Sequence, residues 1–250
     1  MERFTALIAH RGGFALEMEH WWDFHNLPRI PIKTKMSTNY QGANHPANES
    51  QDIEASASCS IWVTGLPPNC TIKQLLSSIR SAGKIFSCNV NLPSGSNLTS
   101  AAKIVFWDRD STNRFLNQYV WGTFRVGYYK PKVMLNRILV ASQLPSTCSR
   151  VVRVVGPDAI VNEEYLRQYF ERHFFYDLEE YFLYHHETDT STSRVEFRFA
   201  SYRAQAAAAS VWLDRARTGN EDATAGMDEE EKRLWTQVRW FWGPDPCEGQ

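Results

Sequence analysis

Most of the features that signal a particular chemistry are missing from this chain. No run approaches the ~20 apolar residues that a bilayer span requires. The N-terminus, with Glu2, Arg11, Glu17 and Glu19 scattered through it, lacks the uninterrupted apolar segment of a secretion signal. An intracellular protein without a membrane anchor is therefore expected. The five cysteines (Cys59, Cys70, Cys88, Cys148, Cys247) are odd in number, widely spaced and form no C-x-x-C pair. Neither a disulfide framework nor a zinc site is indicated, and reduced thiols are expected. There is no G-x-x-x-x-G-K-S/T loop, G-x-S-x-G elbow or H-E-x-x-H helix. His185 and His186 are adjacent on a strand pattern, so they point to opposite sides and cannot share a metal without distortion. Asp110 beside Ser111 fits helix capping better than chemistry. No catalytic residue, cofactor or metal is expected.

Acidic residues are scarce in one stretch only. Residues 58–141 hold ten Lys/Arg against two carboxylates, Asp108 and Asp110, a balance of +8. Residues 149–250 hold twelve Lys/Arg against nineteen Asp/Glu, a balance of −7, and the first 57 residues carry −2, so the formal charge of −1 hides an asymmetry. Such opposition suggests that the basic half meets polyanions, or that the two halves meet each other. The 43% hydrophobic and 13% aromatic content over 250 residues is enough for two cores of ordinary size.

In residues 1–57 an aromatic knot (Trp21, Trp22, Phe24) has no repeated period around it, and from Met36 to Ser58 the chain turns to Ser, Asn, Gln, Ala and Gly. A composition with so few large apolar residues does not repay the entropy of folding, so the segment reads as a largely disordered lead-in. Residues 58–140 then alternate element types. A strand over 59–67 puts Ile61 and Val63 on one side and Trp62 on the other. Thr71 is placed to cap a helix bearing Ile72, Leu75, Leu76 and Ile79, which Gly83 stops. Lys84 to Leu92 and Ser100 to Trp107 read as strands, the latter with Lys103 opposite in face to Ala102, Ile104 and Phe106. Asp110 or Ser111 starts a second helix, and Lys132 to Asn136 closes the unit. Residues 141–149, broken by Pro145, read as a linker. Residues 150–250 repeat the order: a strand from Arg150, a helix capped by Asn162, strands over Glu180–His186 and Thr192–Phe199, an alanine-rich helix over Ser201–Arg215, an acidic insert over Glu221–Glu231, and a last strand over Gln237–Trp242.

Strand, helix, strand, strand, helix, strand is an order that resembles the RNA recognition motif (RRM) family. Ile61 to Leu66 are similar to its first-strand hexapeptide, with Gly65 where Asn is usual, and Thr99 to Phe106 to its third-strand octapeptide. Ser100, Ala101 and Lys103 stand where that octapeptide carries Gly and two aromatics, leaving Trp62 of the usual stacking platform. The second unit resembles an RRM in element order, with Arg153, Arg194 and Glu196 at the three aromatic positions. The resemblance covers about residues 59–138 and 150–247. It implies an α+β fold of two tandem ferredoxin-like βαββαβ domains, the second an acidic pseudo-RRM.

On that resemblance, single-stranded RNA is the expected partner, stacked on Trp62 and neutralised by Lys103 and Lys132. Asn136 and Arg137, at the end of the last strand, are placed to reach base edges or backbone. Tyr128 and Tyr129 lie on the hairpin before it, one extending the platform and the other joining the core. In the second unit Arg153, Arg194 and Arg198 could grip phosphates, while Glu196 among them repels a polyanion and pairs more naturally with Arg153 or Arg198. That unit is accordingly expected to serve protein contact or docking on the first. An adaptor with no direct RNA binding is the alternative. The family resemblance favours the nucleus slightly over the cytoplasm.

Overall fold

Local signals decide where the elements of the first unit begin. In the computed structural model, which describes residues 49–185 and 191–249, strand β1 (Ser60–Leu66) leads to Thr71. The Thr71 hydroxyl accepts from Gln74 N and the Gln74 side chain accepts from Thr71 N, a capping box that starts helix α1 (Ile72–Leu76). Strands β2 (Ile85–Asn91) and β3 (Ser100–Phe106), helix α2 (Arg109–Val120) and strand β4 (Lys132–Leu135) follow. The four strands form an antiparallel sheet in the order β2-β3-β1-β4. Both helices lie on the face that buries Ile61, Val63, Ala102, Ile104 and Phe106 with Leu75, Leu76 and Phe115.

The second unit repeats this plan. Strand β5 (Val151–Pro157), helix α3 (Glu163–His173), strands β6 (Leu178–His185) and β7 (Thr192–Phe199), helix α4 (Ala207–Arg217), helix α5 (Glu229–Trp235) and strand β8 (Arg239–Trp242) make a sheet ordered β6-β7-β5-β8. Asn162 caps α3 through Tyr165 N, and β7 occupies the span its alternation predicts, with Val195, Phe197 and Phe199 buried. The chain is thus two tandem α+β units.

Several expectations need correction. The second helix is capped by Asp108, whose Oδ1 accepts from Ser111 N at 2.7 Å, and Asp110 and Ser111 are already inside its first turn. Helix α1 ends at Leu76, well before Gly83. Gly83 matters for a different reason: at φ +139°, a Cβ there would stand 1.9 Å from Ser111 Oγ. The alanine-rich helix does not start at Ser201, because a π turn (Tyr202–Ala206) kinked at Arg203 and Ala204 precedes α4. Part of the acidic insert forms α5, capped by Asp228, which buries Trp235 against Tyr165 and Tyr169.

Within the expected lead-in, residues 49–57 are described: Gln51 N donates to Leu139 O at 3.0 Å, and Ala55–Ala57 form a 3-10 turn. The rest of that lead-in, including Trp21, Trp22 and Phe24, lies outside the described residues, as does His186. The linker is pinned as well. Cys59 N donates to Val140 O at 2.7 Å and Gln143 N to Trp107 O at 2.8 Å, while Lys84 Nζ reaches Ser146 O and Cys148 O. All five cysteines are free thiols.

The two units share packed surface. Phe86, Val105 and Trp107 of the first belong to the same apolar cluster as the second unit's core, and Trp107 and Tyr202 lie 4.9 Å apart between ring centres. The segment after β8 turns back to the first unit. There Cys247 O accepts from Ala82 N and Gly83 N, and Asp245 Oδ2 accepts from Ile85 N at 2.8 Å. Arg150, fully buried, bonds Glu179 at 2.6 Å and Asp245 at 2.9 Å. One solvent-facing ion pair, Lys73 with Glu180 at 2.6 Å, adds to this.

Candidate nucleic-acid interface

Strand side chains alternate, so the residues between the buried ones of β1 and β3 all project from the side opposite the helices. Register then assembles them into rows. The central row is Asn89, Lys103, Trp62 and Met134, since Lys103 faces Asn89 on one side and Trp62 on the other, and Trp62 faces Met134. The row toward the start of β3 is Asn91, Ala101, Thr64 and Lys132. Toward the other end lie Ser87, Val105 and Ser60, with Asn136 N donating to Ser60 O at 3.0 Å. No carboxylate occurs in these three rows.

Trp62 is half-buried, with both of its cross-strand neighbours long and flexible. Lys103 is also half-buried, and its ammonium loses protons more readily than usual, first because burial disfavours the charge and second because Arg203 of the second unit repels it. Among the described residues Lys103 makes no ion pair. Lys132 is exposed at the edge, and the Asn136 side-chain carbonyl accepts from Ile138 N, which leaves its amide nitrogen as a donor. These four residues share the sheet's open side.

The other candidates are less well gathered. Arg137 is exposed beyond the end of β4, where its carbonyl meets Ser50 Oγ. Tyr128 is at the tip of a tight turn closed by paired hydrogen bonds between Val126 and Tyr129, with Gly127 at φ +58°, and is fully exposed. Tyr129 is exposed too, so neither tyrosine joins the core; Phe124 and Val126 do. The open end of the face is not bare throughout, because Val105 and Trp107 are covered by the second unit.

On the second sheet Arg153 Nε and Arg198 Nε both donate to Glu196, at 2.6 and 2.7 Å, and the Glu196 side chain is 2% exposed. The pairing read from the sequence is therefore present with both arginines at once. Aromatic rings missed by sequence reasoning surround this triad. Phe182 faces Glu196 across the ladder and Phe241 faces Arg153, with Tyr184 opposite Arg194. Arg198 lies 4.3 Å over Phe182, and Arg194 lies 5.6 Å from Tyr184 and 6.0 Å from Phe241. The rings stand on the flanking strands rather than the central pair where the RRM motifs place them. Their signal was present in the alternation of Glu180, Phe182 and Tyr184 against Tyr181 and Leu183, but only the register shows which set faces the arginines.

Among the described residues no group of three or more His, Cys, Asp or Glu could hold a metal ion. None of the helices there is long and apolar enough to cross a membrane.

No family model and no curated protein matches the chain. Among solved structures, it is similar to the first two RRM domains of a yeast poly(U) binding protein, at 17% identity and TM-score 0.28, covering 74% of this chain and 99% of that one. It is similar to the two RNA recognition domains of Sex-lethal from Drosophila melanogaster at 12% identity and TM-score 0.25, with the same coverages. A three-domain piece of a yeast splicing factor aligns at 14% identity and TM-score 0.28, over 74% of this chain and 64% of that one. Superpositions at these TM-scores add no weight of their own. The strand orders β2-β3-β1-β4 and β6-β7-β5-β8 make residues 60–135 and 151–242 two tandem α+β units of ferredoxin-like topology, the second with one extra helix, α5, before its last strand.

Proposed function

We propose that the protein is a non-enzymatic, single-stranded RNA-binding protein whose first sheet supplies the binding surface. The observation that carries this reading is the half-buried Trp62 set between Lys103 and Met134, on a face without carboxylates. A nucleobase stacks on the indole, and Lys103 and Lys132 neutralise its flanking phosphates. Asn136 donates to a base edge or sugar, while Arg137 and Tyr128 extend contact at the rim. The second unit fixes the geometry of the first and offers its own face to a protein partner, with Arg153, Arg194 and Arg198 as contact residues. Such a protein works inside the cell, with the nucleus favoured. Binding of the full chain to unstructured homopolymer RNAs, measured across a salt series, tests the reading, because phosphate neutralisation makes affinity fall as salt rises.

A second reading is an adaptor without RNA. It is supported by Glu196, which engages both Arg153 and Arg198 and so reduces what the second sheet can offer a phosphate. Salt-independent absence of RNA binding by the whole chain would favour it.

A further inference from the structure

The open face of the second sheet carries cations in a stretch of chain whose overall balance is −7. Register sets them in rows. Tyr184, Arg194, Val155 and Arg239 make one row, and Phe182, Glu196, Arg153 and Phe241 the next. Arg198 belongs to a third row with Glu180, which Lys73 of the first unit engages, so the row of Arg194 and Arg239 is the furthest of the three from that contact.

These cations are not equally committed. Arg153 and Arg198 share the Glu196 carboxylate, whereas Arg194 and Arg239, both exposed, make no ion pair among the described residues. Arg194 is nonetheless held in place, because its guanidinium lies 5.6 Å from the centre of the Tyr184 ring and 6.0 Å from that of Phe241. A guanidinium laid against rings keeps its in-plane N–H fork free, and that fork matches a carboxylate bidentately. The same contacts count against a nucleobase. Arg198 already lies 4.3 Å over Phe182, and Tyr184 and Phe241 share Arg194, so each of the three rings carries a guanidinium in a place that a stacked base would take. Glu196 beneath the middle row adds repulsion toward a polyanion's backbone.

Strand β5 alone separates the strands that bear Arg194 and Arg239, which puts those strands about 10 Å apart. Arginine's flexible stem closes that gap to the roughly 7 Å between side chains at i and i+2 of an extended chain, which project on the same side. The acidic character of the rest of the unit repels such a chain elsewhere and leaves this row as the place that admits it.

We propose that Arg194 and Arg239 form a two-pronged anchor for an acidic peptide, one with carboxylates two residues apart in an extended segment, on the open face of the second sheet. The assignment rests on the protein-contact role given above to that sheet and names the chemistry of the partner. Tyr184 and Phe241 act as positioning residues for the Arg194 fork.

The test uses the full chain at fixed low salt, with a fluorescein-labelled short peptide of alternating glutamate and serine as probe and its glutamine and serine counterpart as control. The glutamate peptide is expected to bind and the control not to bind. Arg194→Ala and Arg239→Ala are each expected to weaken the glutamate peptide several-fold; Arg239 is exposed on the edge strand, so its variant gives the reading should Arg194→Ala fail to fold. Equal affinity of the parent and the folded variants, which would place the peptide on the basic first unit, overturns this inference alone, as does failure of the parent to bind the peptide. A short oligouridylate is measured on the same proteins. If Arg194→Ala weakens the oligouridylate as much as the peptide, the face is a nucleic-acid site, and both this inference and the protein-contact role of the second sheet fall.

Discussion

Arg150 and Asp245, both wholly removed from solvent, face each other at 2.9 Å where the first strand of the second unit meets the segment that returns to the first. The other oxygen of Asp245 accepts from Ile85 N at the start of β2, so a single carboxylate joins three parts of the chain. Charges in such a place are tolerable because each is hydrogen-bonded, and removal of one leaves the other exposed to its full desolvation cost.

Asp245→Ala is accordingly expected to destabilise the protein by about 3–5 kcal/mol, the range for breaking a buried pair by removing one partner. Chemical denaturation of the variant measures it. Hydrogen exchange at Ile85 N should accelerate in the same variant, because that amide loses its acceptor. A cost under about 1 kcal/mol would show that the pair is not needed to hold the junction.

His173 gives the protein an acid-side weakness. Its ring stacks on Trp212 at 3.8 Å, and burial, followed by repulsion from Arg172 and Arg215, pushes its pKa down from 6.5 to about 4. The folded state thus prefers the neutral ring, and the unfolded chain binds the proton first. Stability from this residue is complete above pH 6.5 and is lost as pH falls toward 4. Melting temperature across this window should fall with pH, and His173→Gln should flatten that dependence. An equal slope in the two proteins would assign the acid sensitivity to other groups.

The Glu196 triad decides what the second sheet can do. Glu196→Gln removes the charge that holds Arg153 and Arg198, and leaves Phe182, Tyr184 and Phe241 around them. If that face is kept from nucleic acid by its own carboxylate, the variant should bind single-stranded RNA with a steeper salt dependence than the parent. An unchanged slope would mark the face as a protein-contact surface.

How much of this was legible in advance follows from the range of each signal. The strand at Thr192–Phe199, the Thr71 and Asn162 caps and the shared side of Trp62 and Lys103 depend on residues a few positions apart, and the period of two displays them. The Asp108 cap was missed because Asp108, Asp110 and Ser111, within four positions, compete for the role and only backbone geometry selects one. The break at Arg203 and Ala204 contradicts the helix propensity of the alanines around it. Packing of Tyr202 on Trp107 and of Ser201 on Cys88 overrides that preference, and neither partner is near in sequence. The same holds for the tail at Asp245 and for the rings facing Arg194 and Arg198, whose positions follow from register and docking. Of the surface residues named from sequence, those on strands fall on one face, whereas Arg137 and Tyr128, beyond regular structure, are only placed at its rim.

The central claim is that the indole of Trp62 carries a base. The most direct measurement compares the full chain with Trp62→Ala for binding to an unstructured oligouridylate at fixed low salt, with thermal melts confirming that the variant is folded. The account predicts a loss of about 1–3 kcal/mol in binding free energy, as for removal of one base-stacking aromatic, together with quenching of the indole fluorescence in the parent when RNA is added. Equal affinities for the two proteins, with no change in that fluorescence, would contradict it.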